Sequence, residues 1–387
     1  MGQNLSAREI LDMLVSFPTV SRDSNLALID WVEDYLASWG VPAYRVYNAD
    51  GTKANLYASI GPEVTGGVVL SGHTDVVPVD GQPWNTDPWV VVERDGRLYG
   101  RGTCDMKGFD ALALALVPRA LQAKLQRPLQ IALSYDEEIG CLGAPLMIAE
   151  MAARLPRAAA VVVGEPSMLQ AVSGHKGGTG FGVHVQGFEV HSSMLQTGVN
   201  AIMQGAKLID WANQQNATSF ARVPGKAAEM FVPPCTTVHV GVIAGGTAHN
   251  ITARDCRFGL DFRVVPGDSM AAWEAAFRTR VAEVEAEMQA IRPETSITLE
   301  RRFYVPPLQP EPQGAAEALV RRLTGDNASH VVSYGTEAGQ FQAGGYSAIV
   351  CGPGDIAQAH QANEFITVAQ FEACEAFLQR LIAELAG

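Results

Sequence analysis

Five short stretches of the chain place a carboxylate or an imidazole at the edge of an apolar run. Ser71-Gly72-His73-Thr74-Asp75 follows the apolar residues 68–70, and Asp105 closes the glycine-rich GRGTCD just ahead of an apolar helix pattern. Asp136, Glu137 and Glu138 follow residues 129–133, Glu165 follows Val161-Val162-Val163-Gly164, and His360 lies in GPGDIAQAHQANEF after another apolar run. The imidazole of His73 is a good donor to a zinc-like ion, and Asp75, two residues on, is placed to hold the other ring nitrogen. Singly, each stretch has an ordinary explanation: a hydrogen-bonded strand-end histidine, a helix cap at Asp105, a solvated loop acid. Together, two imidazoles and at least three carboxylates of mixed N/O character suit a pair of zinc-like ions about 3.5–4 Å apart, with one carboxylate bridging. Three consecutive acids at the end of a buried strand also need a cation to offset them.

Holding such groups together requires strand ends and helix starts from distant regions of the chain. Helical spacing marks residues 9–15, 24–39 and 109–123, the last disturbed at Pro118, and short apolar runs at 68–70, 129–134 and 159–163 read as buried strands. That alternation predicts an α/β fold, a central, mostly parallel sheet flanked by helices. The rhythm changes near Gly177: strand 179–186, helix 199–213, strands 237–243 and 257–264, helix 269–291 and strand 296–303 form a split βαβ order. This predicts an inserted α+β domain, βαββαβ and ferredoxin-like. After the proline-rich VPPLQPEP, helix 314–323, strands 331–334 and 348–350 and helix 368–385 resume the first domain. The boundaries read from these patterns are 1–176 for the first segment of the catalytic domain, 177–303 for the insertion and 304–387 for the second segment of the catalytic domain.

The 387 residues are 47% hydrophobic and 18% charged, enough for a sizeable core. A net charge of -13, with basic residues no more than paired, argues against nucleic acid and against an anionic membrane surface as partners. No run is long and apolar enough to span a bilayer, the N-terminal residues lack a secretory pattern, and a cytoplasmic location is expected. The six scattered cysteines form no C-x-x-C pair and are expected as buried thiols. GHKGGTGFGVHVQG does not satisfy the spacing of a dinucleotide fingerprint.

GHTDVVPVDGQPW, GRGTCDMKG, YDEEIGCLG, GEPS, VHSS and AHQANE occur in the order and spacing of one family over most of the chain. In them the sequence resembles the co-catalytic zinc amidohydrolases and metallopeptidases that include acetylornithine deacetylases, succinyl-diaminopimelate desuccinylases, aminoacylases and carboxypeptidase G-type enzymes. The resemblance implies two divalent metal ions, zinc or else cobalt. It makes His73 and Glu165 ligands of one ion, Glu138 and His360 ligands of the other, and Asp105 the bridge. Glu137 matches a general base that takes a proton from a metal-bridging water and passes it to the leaving amine, and Asp75 matches the carboxylate behind His73. His191 matches a histidine that reaches the partner subunit's active site to stabilise an oxyanion, so the inserted domain is expected to act as a lid and to make a homodimer. Asn250 and Arg263 match positions for oxyanion or substrate carboxylate contacts.

Tyr334-Gly335-Thr336-Glu337-Ala338-Gly339 and CGPGDIAQAHQANEF resemble the acetylornithine deacetylase branch. The expected reaction is removal of the acetyl group from N-acetyl-L-ornithine, as in arginine biosynthesis, with Glu337 facing the cationic side chain of that small N-acyl amino acid. A related N-acyl amino acid hydrolase (desuccinylase, aminoacylase or dipeptidase) and a non-catalytic binding protein on the same fold are the alternatives.

Overall fold

A computed structural model of the chain describes Gly2, residues 4–311 and residues 313–387. The chain divides into two compact units, Met1–Gly174 with Leu308–Val331 and Thr336–Gly387, and His175–Pro307 with Val332–Gly335. Residues 332–335, which the sequence pattern assigns to the resumed first domain, thus return to the inserted unit. There Val332 accepts the Lys176 backbone N–H at 3.3 Å, and Ser333 Oγ donates to the carbonyl of Val232 at 2.9 Å.

The first unit is built on an eight-stranded sheet ordered Ala43–Tyr47, Ala54–Ile60, Leu129–Ser134, Val68–His73, Ala160–Pro166, Ala348–Gly352, Val172–His175, His330–Val332. Its four central strands, Leu129–Ser134, Val68–His73, Ala160–Pro166 and Ala348–Gly352, run parallel to one another. The antiparallel pairings lie outside them. Each central strand is buried at every position, as expected of parallel strands covered on both faces. Full burial of each Val, Leu or Ile there stabilises the fold by about 1.5–3 kcal/mol. Carboxyl ends of adjacent parallel strands make the natural crevice of an open α/β sheet, and four of the five motifs lie at or just beyond those ends.

The fifth motif is delivered by a helix, Lys107–Ala115, whose residues from Lys107 to Leu114 are all buried. It comes very close to the sheet because two strand positions carry no side chain. A Cβ on Gly72 would lie 2.0 Å from Asp110 Oδ1, and one on Gly164 would lie 2.1 Å from Phe109 Cδ1. These glycines directly precede His73 and Glu165, so the close approach brings Asp105, at the head of the helix, to the same strand ends. A small three-stranded sheet, Phe365–Thr367, Arg97–Tyr99 and Val92–Arg94, ties the segment after His360 to the segment before Asp105.

The second unit is a four-stranded antiparallel sheet ordered Thr237–Gly245, Asp255–Val264, Gly177–Gln186, Ser296–Val305. Helices Ala201–Ala221 and Met270–Gln289 share a core with its apolar residues. Phe181, Trp211, Phe262 and Phe277 form the aromatic centre of that core. All six cysteines are free and buried. Among the described residues no helix is long and apolar enough to cross a membrane.

Gly164→Ala is expected to destabilise the first unit by about 1–3 kcal/mol through overpacking against Phe109. Gly259→Ala, where a Cβ meets nothing within 4 Å, is expected to stay within about 0.5 kcal/mol of the parent. Denaturant midpoints compare the two, and equal midpoints would refute the steric account.

Candidate metal centre

His73 is the last residue of its strand and is 1% exposed. Its Nδ1 lies 2.9 Å from the backbone carbonyl of Asp75. A carbonyl only accepts, so Nδ1 carries the proton and Nε2 is left to face the site. Nε2 lies 3.1 Å from Asp105 Oδ1 and 3.7 Å from Glu165 Oε1. The second oxygen of Asp105, Oδ2, lies 3.2 Å from His360 Nε2. That same nitrogen is 2.9 Å from Glu138 Oε2. Asp105 therefore presents one oxygen to each imidazole, the disposition of a carboxylate shared between two centres. It does not cap the following helix, whose cap residue is Met106 with no side-chain cap bond.

The donor atoms of His73, Asp105 and Glu138 lie within 4.8 Å of one another, as do those of His73, Glu137 and Glu165. Glu137 thus lies among the prospective ligands, as a base acting on a water held there would have to. Among the described residues Glu138 Oε1 is buried without a hydrogen-bond partner. An orphaned carboxylate oxygen beside converging N and O donors fits divalent cations, and the set is large enough for two.

The electrostatics point the same way. Burial pushes Glu137 up to about 8 and Glu138 up to about 7, the latter helped by Asp105. Glu165 is driven well above the carboxylate range by burial and then by Asp105. Burial opposes the charged form of Asp105 too, but hydrogen bonds from His360 and His73 hold it well below the ordinary range. Bonds to Asp105 and Glu138 raise His360 to about 10. Burial disfavours charge on His73, yet Asp105 and the neighbouring acids keep it well above its usual value. Shared protons thus offset the negative charge where cations would otherwise do so.

Asp75 does something other than what its spacing suggests. Its carboxylate oxygen is 3.7 Å from His73 Nδ1, since the backbone carbonyl already occupies that nitrogen. The carboxylate instead accepts the N–H groups of Glu137 at 3.1 Å and Glu138 at 3.3 Å, and the hydroxyl of Ser21 at 2.7 Å. It holds the turn that carries the two glutamates. Asp136, the third acid of that turn, is in the left-handed region at φ 57 and pairs with Lys53 Nζ.

Glu337 does not face an open pocket: it is 1% exposed and accepts hydroxyls from Ser134 and, at 3.3 Å, Ser71. Burial raises it to about 7. The expected direct contact with a substrate side chain gives way to a tie between the strands that end in His73 and in the Glu137 turn. Sequence reading also passes over Glu364 and Cys141. Cys141 Sγ donates to Glu137 Oε1 at 3.2 Å. Glu364, buried beside the Asp105 loop, sits within the AHQANE motif, and an acid immediately before a strand is its only signal.

Three predicted residues belong to the second unit. His191 is exposed at the start of the 3-10 turn Ser192–Thr197, with Nδ1 2.7 Å from Ser193 Oγ. Asn250 lies beside it, its carbonyl accepting the Ser192 N–H at 2.8 Å. Arg263 is half-exposed on its strand with Nε 3.3 Å from Asp261 Oδ2.

Comparison with known proteins places this geometry. The family model "Peptidase family M20/M25/M40" matches residues 69–384. An acetylornithine deacetylase of Myxococcus xanthus is 36% identical over 100% of both chains. One of Proteus mirabilis is 33% identical over 97% of this chain and 95% of its own. An M20 family metallo-carboxypeptidase from Sulfolobus solfataricus superposes with a TM-score of 0.79 at 17% identity, covering 99% of each chain. A Bacillus subtilis protein described as a dinuclear metal binding peptidase from the M20 family has a TM-score of 0.63 at 13% identity, covering 98% of this chain and 97% of its own. The chain belongs to the peptidase family M20/M25/M40 and is a metal-dependent hydrolase of amide bonds.

Proposed function

We propose that the chain hydrolyses the acetyl amide of N-acetyl-L-ornithine, releasing acetate and the free amine. The observation that carries the reading is full-length similarity to two acetylornithine deacetylases, joined to a cluster of histidine and carboxylate groups able to hold a metal ion. Such a reaction belongs to arginine biosynthesis, and a cytoplasmic location is proposed with it.

His73 and Glu165 would hold one ion, Glu138 and His360 the other, and Asp105 both. Zinc is the proposed metal, with cobalt as a substitute suited to the same N/O donors. When bound, the ions activate a water and polarise the scissile carbonyl. The chain supplies the proton traffic: Glu137 takes a proton as the water oxygen bonds to the acyl carbon, then delivers it to the departing nitrogen. The N–H bonds to Asp75 keep the Glu137 backbone in place while its side chain acts. Cys141 constrains one oxygen of Glu137 and leaves the other for the transfer. We assign His191 the oxyanion donor across a homodimer formed by the inserted unit, and Asn250 and Arg263 contacts to oxyanion or substrate carboxylate. Support for His191 is its exposure and its place beside Asn250.

Steady-state comparison of N-acetylornithine, N-succinyl-diaminopimelate and a neutral N-acetyl amino acid tests the substrate. N-acetylornithine is expected to give the highest kcat/KM, and finding it the poorest of the three would overturn the specific reading.

Glu137→Ala is expected to keep bound metal and lose about 10²–10⁴-fold in kcat. Metal analysis alongside single-turnover assays checks this. Unchanged turnover would remove Glu137 from the mechanism, and loss of metal would make it a ligand.

Metal removal should destabilise the protein more at high pH. The raised carboxylates of Glu137 and Glu138 contribute stability fully present below the unfolded value of 4.5 and lost as pH rises through about 7 and 8. Raised His360 acts in the same sense, its contribution present below 6.5 and lost through about 10. Lowered Asp105 acts oppositely, but only on acidification below its ordinary value of 3.8. The gap in Tm between zinc-loaded and chelator-stripped protein is therefore expected to widen from about pH 5.5 to 8.5. A pH-independent gap would mean that metal does not bind at this cluster.

A further inference from the structure

We infer that Glu364 is a positioning residue for the second metal position: its carboxylate fixes the backbone of Asp105 against that of His360, and so sets the affinity for the ion those two side chains share. The inference rests on the ligand assignment proposed above.

Glu364 is 1% exposed, and both of its carboxylate oxygens are engaged by the loop that ends in Asp105. Oε1 accepts the N–H groups of Gly102 at 3.1 Å, Cys104 at 2.9 Å and Asp105 at 3.0 Å. Oε2 accepts from Arg101 Nη1 at 2.6 Å, and the Glu364 carbonyl accepts the Gly100 N–H at 3.0 Å. Gly102, at φ 84, lets the loop wrap around a single oxygen. A carboxylate so engaged is spoken for as an acceptor and is not itself a metal ligand. It works like the anion in a nest of backbone amides, with the difference that the anion is a side chain from elsewhere in the fold.

The elsewhere is the loop of His360. A second path closes the circuit: Arg101 Nη2 donates to Gln82 Oε1 at 2.6 Å, and Gln82 Nε2 donates to the carbonyl of His360 at 3.1 Å. His360 itself has φ 62, a left-handed conformation that a non-glycine residue keeps only when its surroundings enforce it. Asp105 and His360 approach within 3.2 Å through their side chains, yet their backbones are fixed relative to each other by Glu364, Arg101 and Gln82. Hydrogen bonds to ionised groups are the strong ones, and removing one member leaves the others buried without partners.

A network of this kind could serve stability alone, and the separation lies in which metal equivalent it affects. Glu364→Gln keeps shape and volume but turns an NH2 group toward donors. Zinc and cobalt stoichiometry, with competition against a chelator, is measured on the full-length protein. Wild type is expected to bind two equivalents. The variant should bind the equivalent held with His360 about 10–100-fold more weakly and the other, which keeps His73 and Glu165, less weakened than that, with kcat recovering as free zinc is raised and KM unchanged. Two equivalents at wild-type affinity overturn the inference, as does equal weakening of both equivalents with a lowered unfolding midpoint. If Glu364→Gln does not fold, Gln82→Ala at a partly exposed position gives the same selective weakening at smaller size, and no change there overturns the proposal. A wild-type chain that binds fewer than two equivalents overturns the ligand assignment itself and the inference with it.

Discussion

More carboxylates than imidazoles have been taken out of water at the ends of four parallel strands, and the rest of the structure answers to that constraint. Asp105, Glu138 and Glu165 crowd around His73 and His360 at separations of 2.9–3.7 Å. Transfer of a lone carboxylate into such surroundings is strongly unfavourable, so charge must be neutralised by protons or by cations. Without cations the balance is a compromise, with Glu138 raised and Asp105 lowered a few ångströms apart. Divalent ions would favour the ionised form of every carboxylate here, offsetting the burial that raises Glu137, Glu138 and Glu165, and the chemistry of the site therefore agrees with its shape.

Two other buried carboxylates carry none of that chemistry yet make it possible. Asp75 gathers the amides of Glu137 and Glu138, and Glu364 gathers those of Gly102, Cys104 and Asp105. Both place carboxylate oxygens where backbone N–H groups converge, and those hydrogen bonds offset part of the cost of burying them. The ligand loops are thereby held from behind, and repulsion among the ligands does not splay them apart. Glu337, tied to Ser71 and Ser134, has a comparable role a layer deeper in the sheet.

The sequence discloses the prospective donors because their signal is local: a polar group abutting an apolar run. The same locality explains what it conceals. Asp75 reads as the partner of the His73 ring because the two lie close in sequence, whereas the N–H groups it accepts sit more than sixty positions downstream. Nothing in a residue's type says that it will accept a backbone N–H, so Glu364 shows in the sequence only as the last residue of AHQANE, ahead of a strand, with no sign of its partners. The inserted unit is legible as strand and helix rhythm, but the return of residues 332–335 to it depends on bonds to Lys176 and Val232 that no pattern encodes. Edge strand Ala43–Tyr47, with no fully buried position, and helix Ala144–Arg154, opened by a proline in its first turn, lack the continuous apolar signature of the central strands.

The order in which the chain supplies these groups has a consequence for its birth on the ribosome. His73, Asp105, Glu138 and Glu165 emerge early, and the whole inserted unit except residues 332–335 is synthesised well before His360 and Glu364 appear. Until then the nascent first unit carries acidic strand ends with half of their partners missing and lacks the central strand Ala348–Gly352 that pairs beside Glu165. The inserted unit has its own core and, apart from residues 332–335, comes from one continuous segment, which suits it to fold while the first waits. Closing the first sheet across so long an insertion is a late, entropically opposed step. Synthesis of residues 348–364 is therefore the step that supplies the acidic strand ends with the remaining central strand, with His360 and with Glu364.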